Sequence, residues 1–167
     1  TYKSSKPLVS VRLMVYNNEP YIRQVLDSIL MQEVNFDYEI VVGDDFSTDN
    51  TLNIIKEYAQ HKPSRFHILD RKKGDKYDKV RRKKGRIYNF IDILNHCQGK
   101  YIAIIDGDDY FTAPLKLQKQ VDFLEENEDY AISFHNVEVV YEGEMSKKHL
   151  FHNRKLSRTT YLTDIVK

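Results

Sequence analysis

The chain is predicted to adopt an α/β fold, a mostly parallel central sheet with helices on both faces. Three observations carry that prediction. The apolar period switches repeatedly between two and about 3.6 residues, so strands alternate with helices, and such alternation implies parallel crossover units. One run, residues 101–105, is apolar throughout, which predicts a central strand buried on both faces. Polar, acid-rich clusters follow three of the strands, at the carboxyl edge where sheets of this kind bind ligands.

Val9, Val11, Leu13 and Val15 alternate with other residues and predict a strand over 8–16. Asn18 and Pro20 signal a helix start, and Ile22, Val25, Leu26, Ile29 and Leu30 follow at helical spacing. Residues 38–42 form a second, short apolar strand. Ser47 or Thr48 can cap the next helix, whose apolar face is Leu52, Ile55 and Ala59. A third strand over 66–69 leads into a basic segment. Ile87, Phe90, Ile91 and Leu94 make another helical stripe, closed by Gly99. After the 101–105 strand, Pro114 precedes a helix carrying Leu117, Val121 and Leu124. Residues 131–134 and 137–141 read as strands, so the order is β-α-β-α-β-α-β-α-β-β. Thr160 or Thr163 starts a further helix that meets Lys167 before the usual length of about three turns. The expectation is one domain over residues 1–167, cut from a longer protein.

Composition sets the class. With 167 residues, 41% of them hydrophobic and 31% charged, the chain can bury one core as an ordinary globular domain. No apolar run approaches the ~20 residues that span a bilayer, and from the polar start no signal peptide is expected. The single cysteine, Cys97, excludes an internal disulfide and a cysteine-based zinc site; its spacing from Leu94 and Ile91 predicts a small buried hydrophobe. A reducing compartment, the cytoplasm, is expected. The formal net charge of +1 hides an asymmetry, because residues 71–86 hold ten Lys or Arg against two Asp. This segment reads as a solvated loop, mobile over 71–84 and able to order over a phosphate group; it could also meet an anionic membrane face.

The three strand-end clusters are Tyr16-Asn17-Asn18-Glu19, Asp44-Asp45-Phe46-Ser47-Thr48-Asp49 and Asp106-Gly107-Asp108-Asp109. A parallel sheet gathers them on one edge. Crowded carboxylates repel one another and resist burial, and a cation removes the penalty. Mg²⁺ and Mn²⁺ take oxygen ligands, often one or two carboxylates together with substrate phosphates. Helix capping accounts for at least one of Asp44, Asp49 and Asp109. It does not account for Asp106 and Asp108 together behind an apolar strand. Gly107 between them permits a tight turn and close approach.

In this order and spacing the motifs resemble those of the amino-terminal part of family 2 glycosyltransferases, which have the GT-A fold, over about residues 8–134. The matching pieces are Val15-Tyr16-Asn17 with Glu19, the run from Val42 to Asp49, Gly85-Arg86 with Asn89, and Tyr101 through Asp109. The resemblance implies a nucleotide-sugar site of Val15, Tyr16, Glu19, Asp44, Asp45, Arg86, Asp106 and Gly107. Tyr16 would stack on the base, typically uracil, and Asp44 would accept a hydrogen bond from it. Asp45 and Glu19 would contact nucleotide or hold the loop. Arg86, or one of its basic neighbours, would approach the diphosphate. Asp106 would meet the ribose or the metal's water shell, and Asp108 would ligate Mn²⁺ or Mg²⁺. Asn89 is read as structural and His135 as a surface or packed histidine.

The implied activity is inverting transfer of a sugar from a nucleotide diphosphate, UDP above all, to a glycan or lipid-linked acceptor in surface-polysaccharide synthesis. No general base is assigned: it is expected beyond Lys167, so the chain by itself is expected to bind donor without efficient transfer. The location implied is cytoplasmic, with peripheral membrane contact through residues 71–86. A sugar nucleotidyltransferase is the alternative, but the loop after the first strand lacks that class's glycines. A non-catalytic nucleotide-binding module is another. A receiver domain needs its acidic pair one strand earlier. A nucleic-acid binder is disfavoured because the rest of the chain is acidic.

Overall fold

A computed structural model of the chain describes residues 6–141 and 143–151. It divides into two compact units, Thr1–Asp122 and Phe123–Lys167. The first holds a four-stranded parallel sheet of β1 (Val9–Val15), β2 (Tyr38–Asp44), β3 (Phe66–Ile68) and β4 (Tyr101–Asp106), in the order β3-β2-β1-β4. The helices are α1 (Ile22–Leu30), α2 (Thr51–His61), α3 (Lys76–Lys84), α4 (Ile87–His96) and α5 (Lys116–Glu126), the last running across the boundary between the units.

Both faces of the sheet are covered, as the alternation predicts. On one face Val9, Val11, Leu13 and Val15 of β1 and Ile40 and Val42 of β2 pack with Ile22, Val25, Leu26 and Ile29 of α1, Ile54 and Ile55 of α2, and Leu117 and Val121 of α5. On the other, Val41, Leu69 and Ile93 form a smaller cluster with Met14 and Cys97, roofed by α4. Cys97 is a half-buried member of that cluster, and burial pushes its thiol pKa up.

Three expectations need correction. The strand at 101–105 is not buried on both faces: Ile102 and Ile104 are 43% and 56% exposed, and among the described residues β4 pairs with β1 alone. A continuous apolar run has no period from which to tell one covered face from two. Here α4 packs over β1 and β2 and leaves the same face of β4 open.

Residues 71–84 are not a mobile loop, because most of them form α3. The signals are local. The Asp75 side chain caps the helix by accepting from the Asp78 N–H (2.8 Å), and Gly85 ends it with φ 73°. Asp78 lies in the first turn and Arg81, Arg82, Lys83 and Lys84 in the last, the arrangement a helix dipole favours. Buried Tyr77 and Asp78 fasten it down.

The predicted strand at 131–134 is irregular. The strand expected at 137–141 is present as β5 (Glu138–Tyr141), and it pairs in an antiparallel hairpin with β6 (Glu144–Leu150), beyond the reach of the sequence reading. Gly143, with φ 76°, makes the turn. The helix start expected at Thr160 or Thr163 lies outside the described residues.

The Asp78 N–H holds the Asp75 carboxyl below the ordinary carboxylate range, and the Arg82 guanidinium does the same for Asp78. Carboxylates lowered in the fold add stability above the ordinary range and lose it as pH falls through their folded values. The amides of residues 79–84 are therefore expected to resist hydrogen exchange at neutral pH without ligand. Protection should collapse as pH drops below about 4, and earlier in Asp75→Ala. Exchange as fast as in an unstructured peptide at neutral pH would restore the mobile-loop reading.

Candidate functional site

The registers of three strands assemble the site. Val15 at the end of β1 pairs with Asp44 of β2, and Met14 pairs with Asp106 of β4. Asp44 and Asp106 thus flank β1 on either side, about two strand spacings or roughly 10 Å apart in the sheet. Tyr16 emerges between them with its ring 56% exposed, which is not the environment of a packing tyrosine.

The loop after β1 is latched to the loop after β2 by polar contacts in both directions. Asn17 N–H donates to Ser47 Oγ (2.9 Å), and Asn17 Oδ1 accepts from Thr48 N–H (2.8 Å). Glu19 N–H donates to Asp49 Oδ2, and Glu19 Oε2 accepts from Asn50 N–H, both at 3.0 Å. Glu19 therefore holds the loop. Asp49 also accepts from Thr51 N–H at the start of α2, at 3.0 Å. Asn17 and Phe46 have φ of 52° and 66°, a conformation non-glycine residues seldom take. Both lie in these two loops, so the local strain is concentrated at the site.

Asp44 is buried, with Ser47 donating to its carboxylate through both N–H (3.0 Å) and Oγ. Burial raises its pKa, opposed by the Ser47 hydrogen bonds. Asp45 points the other way. Its buried carboxylate takes Arg81 through Nε (3.0 Å to each oxygen) and Nη2 (2.6 Å), and the Tyr77 hydroxyl at 3.1 Å. These contacts tie the end of β2 to α3.

Asp106 is gripped from beneath. Arg12, fully buried on β1, donates from Nη2 to Asp106 Oδ1 at 2.8 Å and lies over the Phe90 ring. The sequence reading missed Arg12, although its signal was present: an arginine on the alternate face of a strand covered on both sides requires an acidic partner. Gly107 is required by close approach, because a Cβ there would meet Asn18 Oδ1 at 2.4 Å and Val15 Cγ1 at 2.9 Å. Asp108 is exposed and makes no hydrogen bond or ion pair among the described residues. Partial desolvation lifts the Asp109 carboxyl above the ordinary range, and the charges of Asp108 and Asp106 lift it further.

Among the described residues no group of three or more His, Cys, Asp or Glu is disposed to hold a metal. The charges of Asp106 and Asp108 both act on the Asp109 carboxyl, so this turn gathers carboxylate oxygens, the donor type that Mg²⁺ and Mn²⁺ take. Arg86 is exposed at the N-cap position just before α4, whose first turn Asn89 ties to Gly43 O at 3.0 Å. Asn89 also accepts from Arg71, a second residue missed in the sequence: Arg71 reaches Asn89 (2.6 Å), Asp92 (2.7 Å) and the Asp44 carbonyl (3.1 Å), under the Tyr77 ring. Asn89 is structural, as read. His135 is exposed, with Nδ1 2.7 Å from Asn136 O.

A parallel sheet with an aromatic ring and acids on its carboxyl edge is the architecture of the GT-A fold. The structure is similar to a mannosyltransferase from Pyrobaculum calidifontis in complex with GDP-Man and Mn²⁺ (TM-score 0.57, 26% identity, 72% of this chain and 33% of that one). It is also similar to Staphylococcus aureus TarS 1–349 in complex with UDP (TM-score 0.54, 27% identity, 74% and 33%). The glycosyl transferase family 2 model matches residues 10–165, and the chain belongs to that family. Bacillus subtilis EpsE, a putative glycosyltransferase, is 36% identical over 129 residues, 77% of this chain and 42% of its own length. An uncharacterized Mycobacterium tuberculosis protein is 40% identical over 134 residues, covering 80% of this chain and 36% of itself. The chain thus spans about two fifths of the length of these relatives.

A carboxyl raised by burial costs stability where it is ionised, and the cost is relieved as pH falls through its folded value. Asp44→Asn keeps the shape and removes the buried charge. It is expected to raise the melting temperature near neutral pH, with the gain shrinking toward acid. A lower melting temperature at neutral pH would mean that the charge, through Arg71, holds the loop together.

Proposed function

We propose that the edge formed by β1, β2 and β4 binds a nucleotide-diphosphate sugar, a UDP-sugar above all. The protein would transfer that sugar with inversion to a glycan or lipid-linked acceptor in surface-polysaccharide synthesis. The observation that carries this reading is the exposed Tyr16 ring standing between registered Asp44 and Asp106. The nucleotides in the similar structures support it. So does a 33% identical Bacillus subtilis relative named as a putative teichuronic acid biosynthesis glycosyltransferase.

In this reading the Tyr16 ring stacks on the base, and ionised Asp44 accepts a hydrogen bond from it. Val15 and Gly107 bring the two loops close enough to enclose the ribose. Arg12 holds one oxygen of Asp106 and leaves the other for the ribose or for water on the metal. Asp108 ligates Mn²⁺ or Mg²⁺, with Asp106 beside it, and Arg86 faces the diphosphate. The cation, when bound, would supply charge to stabilise the leaving diphosphate. Glu19 and Asp45 keep the loops and α3 in place.

Calorimetry with UDP, with and without Mn²⁺, tests the assignment. Binding is expected to require the metal, and Asp108→Asn to abolish that requirement together with most of the affinity. Metal-dependent affinity unchanged in Asp108→Asn would remove Asp108 from the ligand set. Tyr16→Ala is expected to cost about 1–3 kcal/mol, the range of base–aromatic stacking. Asp44→Asn should weaken UDP roughly ten- to hundredfold, the worth of a hydrogen bond to a charged acceptor. GDP bound as tightly as UDP by the unaltered chain would overturn the choice of base.

A further inference from the structure

The outer face of α3 carries charges that the site does not use. Its inner face is taken up by Tyr77, Asp78 and Arg81, which hold it to Asp45 and to the preceding loop. Lys76, Lys79, Arg82 and Lys83 are exposed and follow one another at helical spacing, with Lys72 and Lys73 just ahead. Arg82 pairs with Asp78 and Lys72 with Asp70. Lys73, Lys76, Lys79 and Lys83 make no ion pair among the described residues. Because the helix is anchored from below, these cations form a fixed stripe.

Two exposed aliphatic side chains follow on the next helix. Gly85 turns the chain into α4, which packs against α3. Ile87 and Ile91, one turn apart on α4, are 56% and 41% exposed. Fixed like charges repel one another and gain when they meet a polyanion. Exposed isoleucines gain only if they leave water. A nucleic acid would satisfy the lysines and leave the isoleucines wet. An anionic bilayer satisfies both, with headgroup charge for the lysines and a shallow acyl boundary for the isoleucines. No helix among the described residues is long and apolar enough to cross a membrane, so attachment here would be peripheral.

We propose that the outer face of α3, with Ile87 and Ile91 at the start of α4, is a docking surface for an anionic phospholipid bilayer. The residues substituted in its test lie outside the nucleotide site proposed above, and the test does not depend on the donor.

Sedimentation of the chain with vesicles of phosphatidylcholine, with and without phosphatidylglycerol, measures the interaction. Binding is expected only to the anionic vesicles and should weaken as salt is raised. Neutralising three lysines in Lys76→Gln/Lys79→Gln/Lys83→Gln should lower the affinity roughly a hundredfold, at roughly fivefold per charge. Ile87→Ser should weaken vesicle binding and leave any binding to duplex DNA unchanged. The substituted residues are all exposed, and an unchanged thermal unfolding curve shows that the variants fold. The proposal fails if anionic vesicles do not bind the chain, or if the triple variant binds them undiminished. It fails equally if Ile87→Ser has no effect while DNA competes the chain off the vesicles, since the partner would then be a soluble polyanion.

Discussion

Everything at the acidic edge hangs from β1. It lies between β2 and β4 with helices over both faces, and its ladders place Asp44 and Asp106 relative to Tyr16. Because strand side chains alternate, slipping either ladder by one residue would turn the matching acid to the opposite face. The apolar residues Val9, Val11, Leu13 and Val15 hold the register by filling one core. The residues between them face the other way, and there Arg12 reaches Asp106. One short strand therefore serves both packing and chemistry.

Three arginines meet carboxylates at the edge or on the helix behind it. Arg12 meets Asp106, Arg81 meets Asp45, and Arg71 meets Asp92 while touching the Asp44 carbonyl. Pairs this buried add little net stability, since desolvation offsets much of their attraction, but removing one partner leaves an uncompensated charge. Their value here is positional. Arg12 leaves buried Nε and Nη1 without hydrogen-bond partners, a cost eased by its stacking over Phe90. That such an arginine persists under Asp106 is understandable if a held carboxylate serves the site better than a free one.

The two faces of α3 divide the labour of a very basic segment. The inner face spends Arg81 on Asp45, and the outer face leaves lysines in water. Composition alone counts these bases as equivalent. The helix separates them, because positions three and four apart share a face while their neighbours do not.

The strand–helix alternation, the core stripes and the three polar clusters were legible in the chain itself, as was membership of a glycosyltransferase family, because period and local spacing are short-range properties. The cap at Asp75 and the charge order along 75–84 were legible too, but the density of lysine masked them. Tertiary structure alone decided which charges are consumed and which stay free. Arg12 and Asp106 lie 94 residues apart, and Arg81 and Asp45 36 apart, and no local pattern marks partners at such separations. It also decided that Ile102 and Ile104 of β4 are exposed, since an apolar run records that a strand prefers to be buried and not which of its faces a helix covers. Ordered spacing named the acids of the edge, whereas only the packed chain shows Asp44 flanking β1, Asp45 turned inward to anchor a helix, and Asp108 left open, because a side chain's role depends on which distant group folding brings within hydrogen-bond reach.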